Sequence, residues 1–189
     1  MAANIAAIRT QSQGASIAKE VGIVVAGSLF MAICAHVTVP LMFSPVPLTM
    51  QPFGVLVLAL MLGSRRSAAA LALYLLEGAG GLPVFSPAGP GGMLQLLGPT
   101  GGYLMSYPFA AFAAGWVYEK SKAIINAVAA CICAEVIFLS CGMLWLANVA
   151  HVSLGNALML AVLPYVPGEI IKTIAAVAMA TRWTKLTAK

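Results

Sequence analysis

The chain has 189 residues, of which 61% are hydrophobic and only 8% are charged, and its mean hydropathy is +0.98. Soluble domains carry about a quarter charged residues, so this composition excludes an ordinary soluble domain and predicts a polytopic membrane protein with a single domain over residues 1–189. The net charge of +5 is spread in ones and twos between apolar runs, which is typical of the positive-inside rule and excludes a nucleic-acid-binding surface.

Apolar runs follow one another along the chain and predict an all-α bundle of about six membrane-spanning helices. The expected spans are residues 17–39, 52–62, 68–81, 103–118, 123–150 and 154–181. The N-terminal segment shows no compact apolar run followed by a cleavage site, so we expect the first span itself to act as the targeting signal.

Two loops rich in proline and glycine separate the predicted spans. The first is LMFSPVPLTMQP after span one, and the second is GGLPVFSPAGPGGMLQLLGPTGG, residues 80–102; both predict irregular backbone. Spans two and three are near the lower limit for crossing about 30 Å of hydrocarbon. Irregular backbone at membrane depth must be surrounded by protein or line a cavity, so we expect these loops to fold back around a pocket on the outer side.

Lysine and arginine mark the cytoplasmic side of a membrane protein. With the spans above, the loops after spans one, three and five contain neither residue, and every basic residue except Lys172 falls on the opposite side: Arg9, Lys19, Arg65, Arg66, Lys120, Lys122, Arg182, Lys185 and Lys189. This asymmetry predicts a multi-pass protein of the bacterial cell membrane with both termini in the cytoplasm.

Motifs for familiar chemistry are missing. There is no GxxxxGK[ST], so the glycine-rich loop is not a nucleotide-binding P-loop, and there is no GxSxG of a hydrolase. His36 and His151 are far apart in sequence, and Cys131 and Cys133 point to different helix faces. We therefore expect no metal site, no cofactor and no enzymatic activity.

The segment PYVPGEIIKTIAA places an acid and a base inside the last predicted span. Glu169 and Lys172 are three residues apart and share one helix face with Tyr165. Pro164 and Pro167 remove backbone donors, which leaves carbonyls free just above the pair. The pair is either a buried ion pair that orients the span or a functional site, because charges at this depth are costly and often functional.

Other embedded residues are weaker candidates. Glu77 shares a helix face with Tyr74, Glu135 lies inside span five, and Trp145 near its outer end suits either packing or ligand contact. Span one carries small residues at four-residue spacing, which suits close packing inside the bundle or docking of another membrane subunit: Ala18, Gly22 and Ala26.

Taken in order, several segments resemble the BioY family of biotin transporters, the substrate-capture (S) subunits of energy-coupling factor (ECF) transporters. They are PVPLTMQPFGVLVLALMLGSRRSAAALALYLLEGAGGLPVF, LLGPTGGYLMSYPFAAFAAGW, GMLWL and PGEIIK, within residues 46–176. The resemblance implies a six-helix S-component bundle and a biotin pocket near the outer surface. The loops after spans one and three would close it.

The family segment usually written PGDxxK, whose acid and lysine contact biotin, corresponds to Glu169 and Lys172. The carboxylate would accept from a ureido N–H of biotin, and the ammonium would donate to the ureido carbonyl or to the valerate carboxylate. The loop SPAGPGG lacks the arginine that some relatives carry there. The resemblance suggests a pocket wall from Gln51, Tyr74, Glu77, Tyr103, Trp145 and Tyr165, with backbone N–H groups around Gly91, Gly92, Gly101 and Gly102 receiving the carboxylate.

The resemblance also implies partners and leaves alternatives. Without a P-loop, active transport needs ATPase subunits and a membrane coupling subunit, for which Ala18, Gly22 and Ala26 are the candidate contact; some family members are thought to work alone. One alternative is an S component for another vitamin, such as thiamine or riboflavin. A second is a small intramembrane enzyme that uses Glu135 or a histidine as base.

Overall fold

The computed structural model describes the backbone of residues 2–187 and the side chains of residues 16–186. Over this range the regular elements are helices and one short ribbon of two strands, joined by loops. The elements are α1 (Ala2–His36), β1 (Thr38–Val39), β2 (Leu48–Thr49), α2 (Gln51–Leu62), α3 (Ser64–Ala79), α4 (Gly92–Leu97), α5 (Gly101–Lys120), α6 (Ile124–Val149), α7 (Leu154–Ala161) and α8 (Val166–Thr187).

Every predicted span contains helix, which confirms the all-α fold class. The predicted end of span one at residue 39 is wrong, because α1 ends at His36 and residues 38–39 pair as β1, and span six is broken between α7 and α8. Two described segments, Ser16–His36 and Ile124–Val149, are each long and apolar enough to cross a membrane, and α7 with α8 qualifies as one span bent by 52°. The helix α2 is apolar but has only 12 residues, about 18 Å at 1.5 Å per residue. The count of six crossings therefore stays a prediction.

Burial separates a central helix from a lipid-facing surface. Nearly all of α2 from Gln51 to Leu60 is buried, and α1, α3, α5, α6 and α8 all pack against it. A helix that is apolar all round and buried belongs to the middle of a bundle. Large apolar side chains such as Ile33, Phe109 and Ile171 are instead more than half exposed on the outer helices. An apolar outer surface of this extent identifies a membrane protein.

The turn between α2 and α3 is a single glycine held by a carboxylate. Gly63 has a φ of 81°, which favours glycine, and a Cβ there would lie 2.3 Å from Oε1 of Glu119. That carboxylate, near the end of α5, accepts from the backbone N–H of Ser64 at 2.7 Å and from the Ser64 hydroxyl. An acid on the first N–H groups of a helix satisfies donors that have no helical partner.

The two loops differ from each other in structure. After α1, the ribbon pairs Thr38 with Thr49 and Val39 with Leu48, and the intervening residues are not helical, as predicted. The second loop was expected to be irregular from residue 80 to 102, and this is wrong for α4 and for the first residues of α5. The run MLQLL buries Gln95 and Leu96. A buried segment must satisfy its backbone N–H and C=O groups, and a helix does so with hydrogen bonds inside the segment itself.

Candidate functional site

A cavity lies where the two loops meet α5, α6 and α8. It contains about 480 Å³ of space not filled by protein atoms, mouth included, yet only about 40 Å³ is open to the centres of water molecules. The cavity is therefore narrow and nearly closed. Its lining is Val46, Pro47, Thr49, Gln51, Pro52, Ser86, Gln95, Thr100, Tyr103, Leu104, Tyr107, Phe138, Leu139, Tyr165, Glu169 and Lys172.

The acid and base predicted from the sequence meet inside this cavity. Nζ of Lys172 donates to Oε1 of Glu169 at 2.8 Å, and both residues are buried. The second oxygen, Oε2 of Glu169, is fully buried and has no hydrogen-bond partner among the described residues. A buried unsatisfied acceptor costs about 1–3 kcal/mol or more. A ligand that donates a hydrogen bond to Oε2 would remove this cost.

The bend between α7 and α8 supplies acceptors that other elements use. Because Pro164 has no N–H, the carbonyl of Leu160 lacks a helical donor, and the hydroxyl of Ser44 donates to it at 2.8 Å. The Tyr103 hydroxyl donates to the next carbonyl, that of Ala161. The freed carbonyl predicted at Leu160 is therefore present, and it anchors the first loop to the bend.

Tyr165 fastens the same loop from inside the bend. Its hydroxyl donates to the carbonyl of Val46 and lies 3.0 Å from Oγ of Ser44. The backbone N–H of Val46 in turn donates to Oγ of Ser44 at 3.1 Å. These bonds hold the first loop across the cavity beside Glu169.

Gln51 forms a wall of the cavity at the start of α2. Its Nε2 donates to the Tyr74 hydroxyl at 2.9 Å, and its Oε1 accepts from Thr49 at 3.3 Å. The ring of Phe85, from the second loop, meets the ring of Tyr74 edge to face at 5.2 Å. Tyr74 thus lies behind the lining, and its hydrogen bond to Nε2 orients the side-chain amide of Gln51.

Two tyrosines one helical turn apart form the α5 side. The ring of Tyr103 packs over Gly142, where a Cβ would lie 2.2 Å from the ring. The ring of Tyr107 meets Phe138 edge to face at 5.9 Å, and its hydroxyl makes no hydrogen bond with the described residues although the side chain is 3% exposed. Sequence reasoning missed Tyr107; its spacing of four from Tyr103 is the signal that could have found it.

Gln95 of α4 is a second lining residue that the sequence prediction missed. Its Oε1 accepts from the backbone N–H of Gly91 at 3.1 Å, which leaves Nε2 without a protein partner among the described residues. The side chain is 2% exposed. A lone polar residue within the run MLQLL was the available signal, because a buried glutamine must find partners.

Several predicted site residues lie outside the cavity lining. Glu77 accepts a hydrogen bond from Ser28 of α1, and Glu135 accepts one from Thr173. Nε1 of Trp145 donates to the carbonyl of Gly98 at 2.9 Å, and Trp145 lines a separate open groove between α5 and α6.

The glycines expected to receive a carboxylate are also outside the lining. Gly91 and Gly92 do not reach it, and the N–H of Gly91 is occupied by Gln95. The N–H of Gly101 donates to Gly98 at 3.0 Å, and Gly102 faces Trp145. Neutral side chains, not free backbone donors, therefore form this end of the cavity.

The small-residue stripe on α1 faces outward. Ala18, Gly22 and Ala26 are all exposed, and a Cβ on Gly22 would meet no atom within 4 Å. The stripe is therefore not used for packing inside the chain. Of the two expectations for it, docking and internal packing, the structure removes the second.

The model of the BioY family matches residues 6–189. The chain belongs to the BioY family. Among curated BioY relatives, the probable biotin transporter BioY of Pyrococcus horikoshii is 36% identical over 165 residues, covering 87% of this chain and 96% of the relative. The biotin transporter BioY of Thermotoga maritima is 36% identical over 152 residues, covering 80% and 88%, and that of Rhizobium etli is 35% identical over 143 residues, covering 71% and 75%.

A solved structure shows the same BioY fold. The chain resembles the crystal structure of the S-component for biotin from an ECF-type ABC transporter with a TM-score of 0.82 and 24% identity, over 90% of this chain and 93% of that one. The predicted S-component architecture is therefore confirmed.

Proposed function

We propose that this BioY-family chain is a biotin-binding membrane subunit that captures biotin from the outer side for uptake. It is a transport protein and not an enzyme. Relatives named as biotin transporters match most of the chain. The observation that carries the proposal is the unpartnered Oε2 of Glu169 beside Lys172 in a nearly closed cavity, because it calls for a ligand with a hydrogen-bond donor.

Biotin's bicyclic ring suits this arrangement. Its ureido group presents N–H donors and a carbonyl acceptor on an otherwise apolar frame. One N–H donates to Oε2 of Glu169, and Nζ of Lys172, which has three donors and uses one on Glu169, donates to the ureido carbonyl. The apolar ring edge lies against aromatic side chains such as Tyr103, Tyr107 and Phe138.

Entry requires the first loop to move. The space open to water centres, about 40 Å³, holds only a few water molecules. We therefore propose that the bonds joining Ser44 and Tyr165 to the loop break when biotin enters and re-form over it. Closing loops of this kind commit a bound molecule and exclude water.

The distribution of lysine and arginine supports an orientation with both termini in the cytoplasm of the bacterial cell and the cavity outward. We propose that energy for uptake comes from separate ATPase subunits through a transmembrane coupling subunit, and that the exposed stripe Ala18, Gly22 and Ala26 contacts the latter. Membrane lipid covers the remaining apolar surface. No nucleic acid is involved.

Binding of vitamins to the purified protein tests this function. A tight ligand raises the unfolding temperature by mass action, so biotin is expected to raise it while thiamine and riboflavin are not. Thiamine is disfavoured because its cationic thiazolium ring would meet the ammonium of Lys172. A rise in unfolding temperature with another vitamin and none with biotin would overturn the assignment of biotin as the substrate.

Single substitutions test the residues. Lys172→Ala and Glu169→Ala are each expected to weaken biotin binding by about tenfold or more, because each removes a charge-assisted hydrogen bond. Equilibrium binding of labelled biotin measures this. Glu119→Gln is the matched control, since Glu119 lies outside the lining. Wild-type affinity in both alanine variants would contradict the assigned roles.

A further inference from the structure

The charges of the cavity point to how the acidic tail of the ligand is held. Among the lining residues the charged side chains are Glu169 and Lys172, and they pair with each other at 2.8 Å. The lining is therefore formally neutral. The other polar lining residues are hydroxyl or amide side chains, and the second loop provides Ser86, Gln95 and Thr100.

Hydrogen bonding singles out one donor among the three side chains from the second loop. The Ser86 hydroxyl donates to Thr38 at 3.2 Å, and the Thr100 hydroxyl reaches the backbone carbonyl of Gln95 at 3.5 Å. Gln95 differs because its Oε1 is held by the N–H of Gly91. The two N–H bonds of its Nε2 have no protein partner in the described part of the chain.

We propose that this site holds the carboxyl end of its ligand with the neutral amide donor of Gln95 and without a cationic side chain, so that it also accepts uncharged carboxamide derivatives of biotin. The inference rests on the proposed function. With the ureido ring on Glu169 and Lys172, the tail extends toward α4, where a carbonyl oxygen of either an acid or an amide accepts from Nε2. The ionised acid gains no ion pair there, and its stronger hydrogen bond to Nε2 is offset by the greater desolvation cost of its charge.

Competition of biotin and biotinamide for the wild-type protein tests the inference directly. Both share the ring, and only the tail charge differs at neutral pH. A neutral site predicts dissociation constants within about threefold of each other, whereas loss of an ion pair with a cationic side chain costs about tenfold or more. Biotinamide binding about thirtyfold weaker than biotin would overturn the inference. If biotin itself does not bind, the proposed function fails, and the inference with it.

The variant Gln95→Glu tests whether the carboxyl tail of the ligand lies at residue 95. The change is nearly isosteric, and the N–H of Gly91 retains a carboxylate oxygen to bind. Biotin is expected to bind about tenfold or more weakly because like charges repel at short range in a buried site. Biotinamide is expected to keep its affinity within about threefold, because its amide N–H can donate to the new carboxylate.

Retained biotinamide binding also shows that the variant is folded. The matched control is Asn156→Asp, which adds the same charge at an exposed position in the first turn of α7 and should change neither affinity. Equal weakening of biotin and biotinamide by Gln95→Glu would contradict a tail at Gln95.

Discussion

Glu169 and Glu119 are both glutamates that accept hydrogen bonds, but Glu169 is buried in the cavity whereas Glu119 is exposed at the end of α5, and their oxygens are satisfied in different ways. Glu119 accepts from the backbone and hydroxyl of Ser64 with both of its oxygens occupied. Glu169 has one oxygen on Lys172 and the other unpartnered. The first arrangement closes a turn and needs nothing more, whereas the second is complete only when a donor arrives. The residue type is the same in both cases, so burial combined with an unfilled hydrogen bond separates the binding acid from the structural one.

The largest expected effect comes from removing both charges at the binding end. Glu169→Gln combined with Lys172→Met should weaken biotin binding by about a hundredfold or more, since two bonds to charged groups contribute about 1.5–3 kcal/mol each. The free energy of unfolding should stay within about 1 kcal/mol of the wild type, because no buried charge is left unpaired. Labelled-biotin binding and denaturation in detergent measure the two quantities.

The single variant Lys172→Met is the control for that experiment. It leaves a lone buried carboxylate and should destabilise the ligand-free protein by about 3 kcal/mol. If the double variant were as unstable as this single variant, the two charges would serve to stabilise the fold through their ion pair and not to bind the ligand.

Substitution of Glu119 should change stability and leave binding unchanged. Glu119→Ala removes the acceptor for Ser64 at the start of α3 and should lower the free energy of unfolding by about 1–3 kcal/mol. The biotin dissociation constant of the folded fraction should not change, because Glu119 does not line the cavity. A changed dissociation constant with unchanged stability would reverse the comparison.

A smaller effect is expected from the tyrosine that sequence reasoning missed. Tyr107→Phe removes one cavity-facing hydroxyl and should weaken biotin binding by about 0.5–1.5 kcal/mol, or roughly twofold to tenfold. Tyr118→Phe makes the same change at the other end of α5, where the hydroxyl is 3.3 Å from Thr184, and should leave binding unchanged. Equal effects of the two variants would remove Tyr107 from the site.

The smallest effect on binding is expected on the outer face of α1. Gly22→Leu has open space around it, so the biotin dissociation constant should change by about twofold or less. If the stripe contacts a coupling subunit, uptake of labelled biotin by cells that express the ATPase and coupling subunits should nevertheless fall. Unchanged uptake in those cells would contradict the proposed contact.

Much of the fold was predictable because membrane helices are recognisable from their apolar composition. Apolar runs predicted where the long helices lie, and the two prolines beside Glu169 accompany the break between α7 and α8. The helix α4 was missed because glycine and proline on both sides of MLQLL outweighed five residues of helical character. A short segment buried by tertiary contacts carries too little local signal to be assigned alone.

The site was predictable in part for the same reason. Glu169 and Lys172 stood out because charged residues are rare in an apolar span, and Gln51, Tyr103 and Tyr165 also line the cavity. Glu77 and Trp145 were weaker candidates, and each forms a hydrogen bond elsewhere, with Ser28 and Gly98. Spacing along one helix predicts which residues share a face, but it does not say which neighbour that face meets.

The amino-acid sequence by itself determined that this chain is a helical membrane protein of the BioY family with an acid and a base in its last span. Only the tertiary structure decided that Oε2 of Glu169 is unpartnered and that Nε2 of Gln95 is free at the same cavity. The reason is physical: a residue type states which bonds a side chain can make, while the packing of distant segments decides which of those bonds are already used.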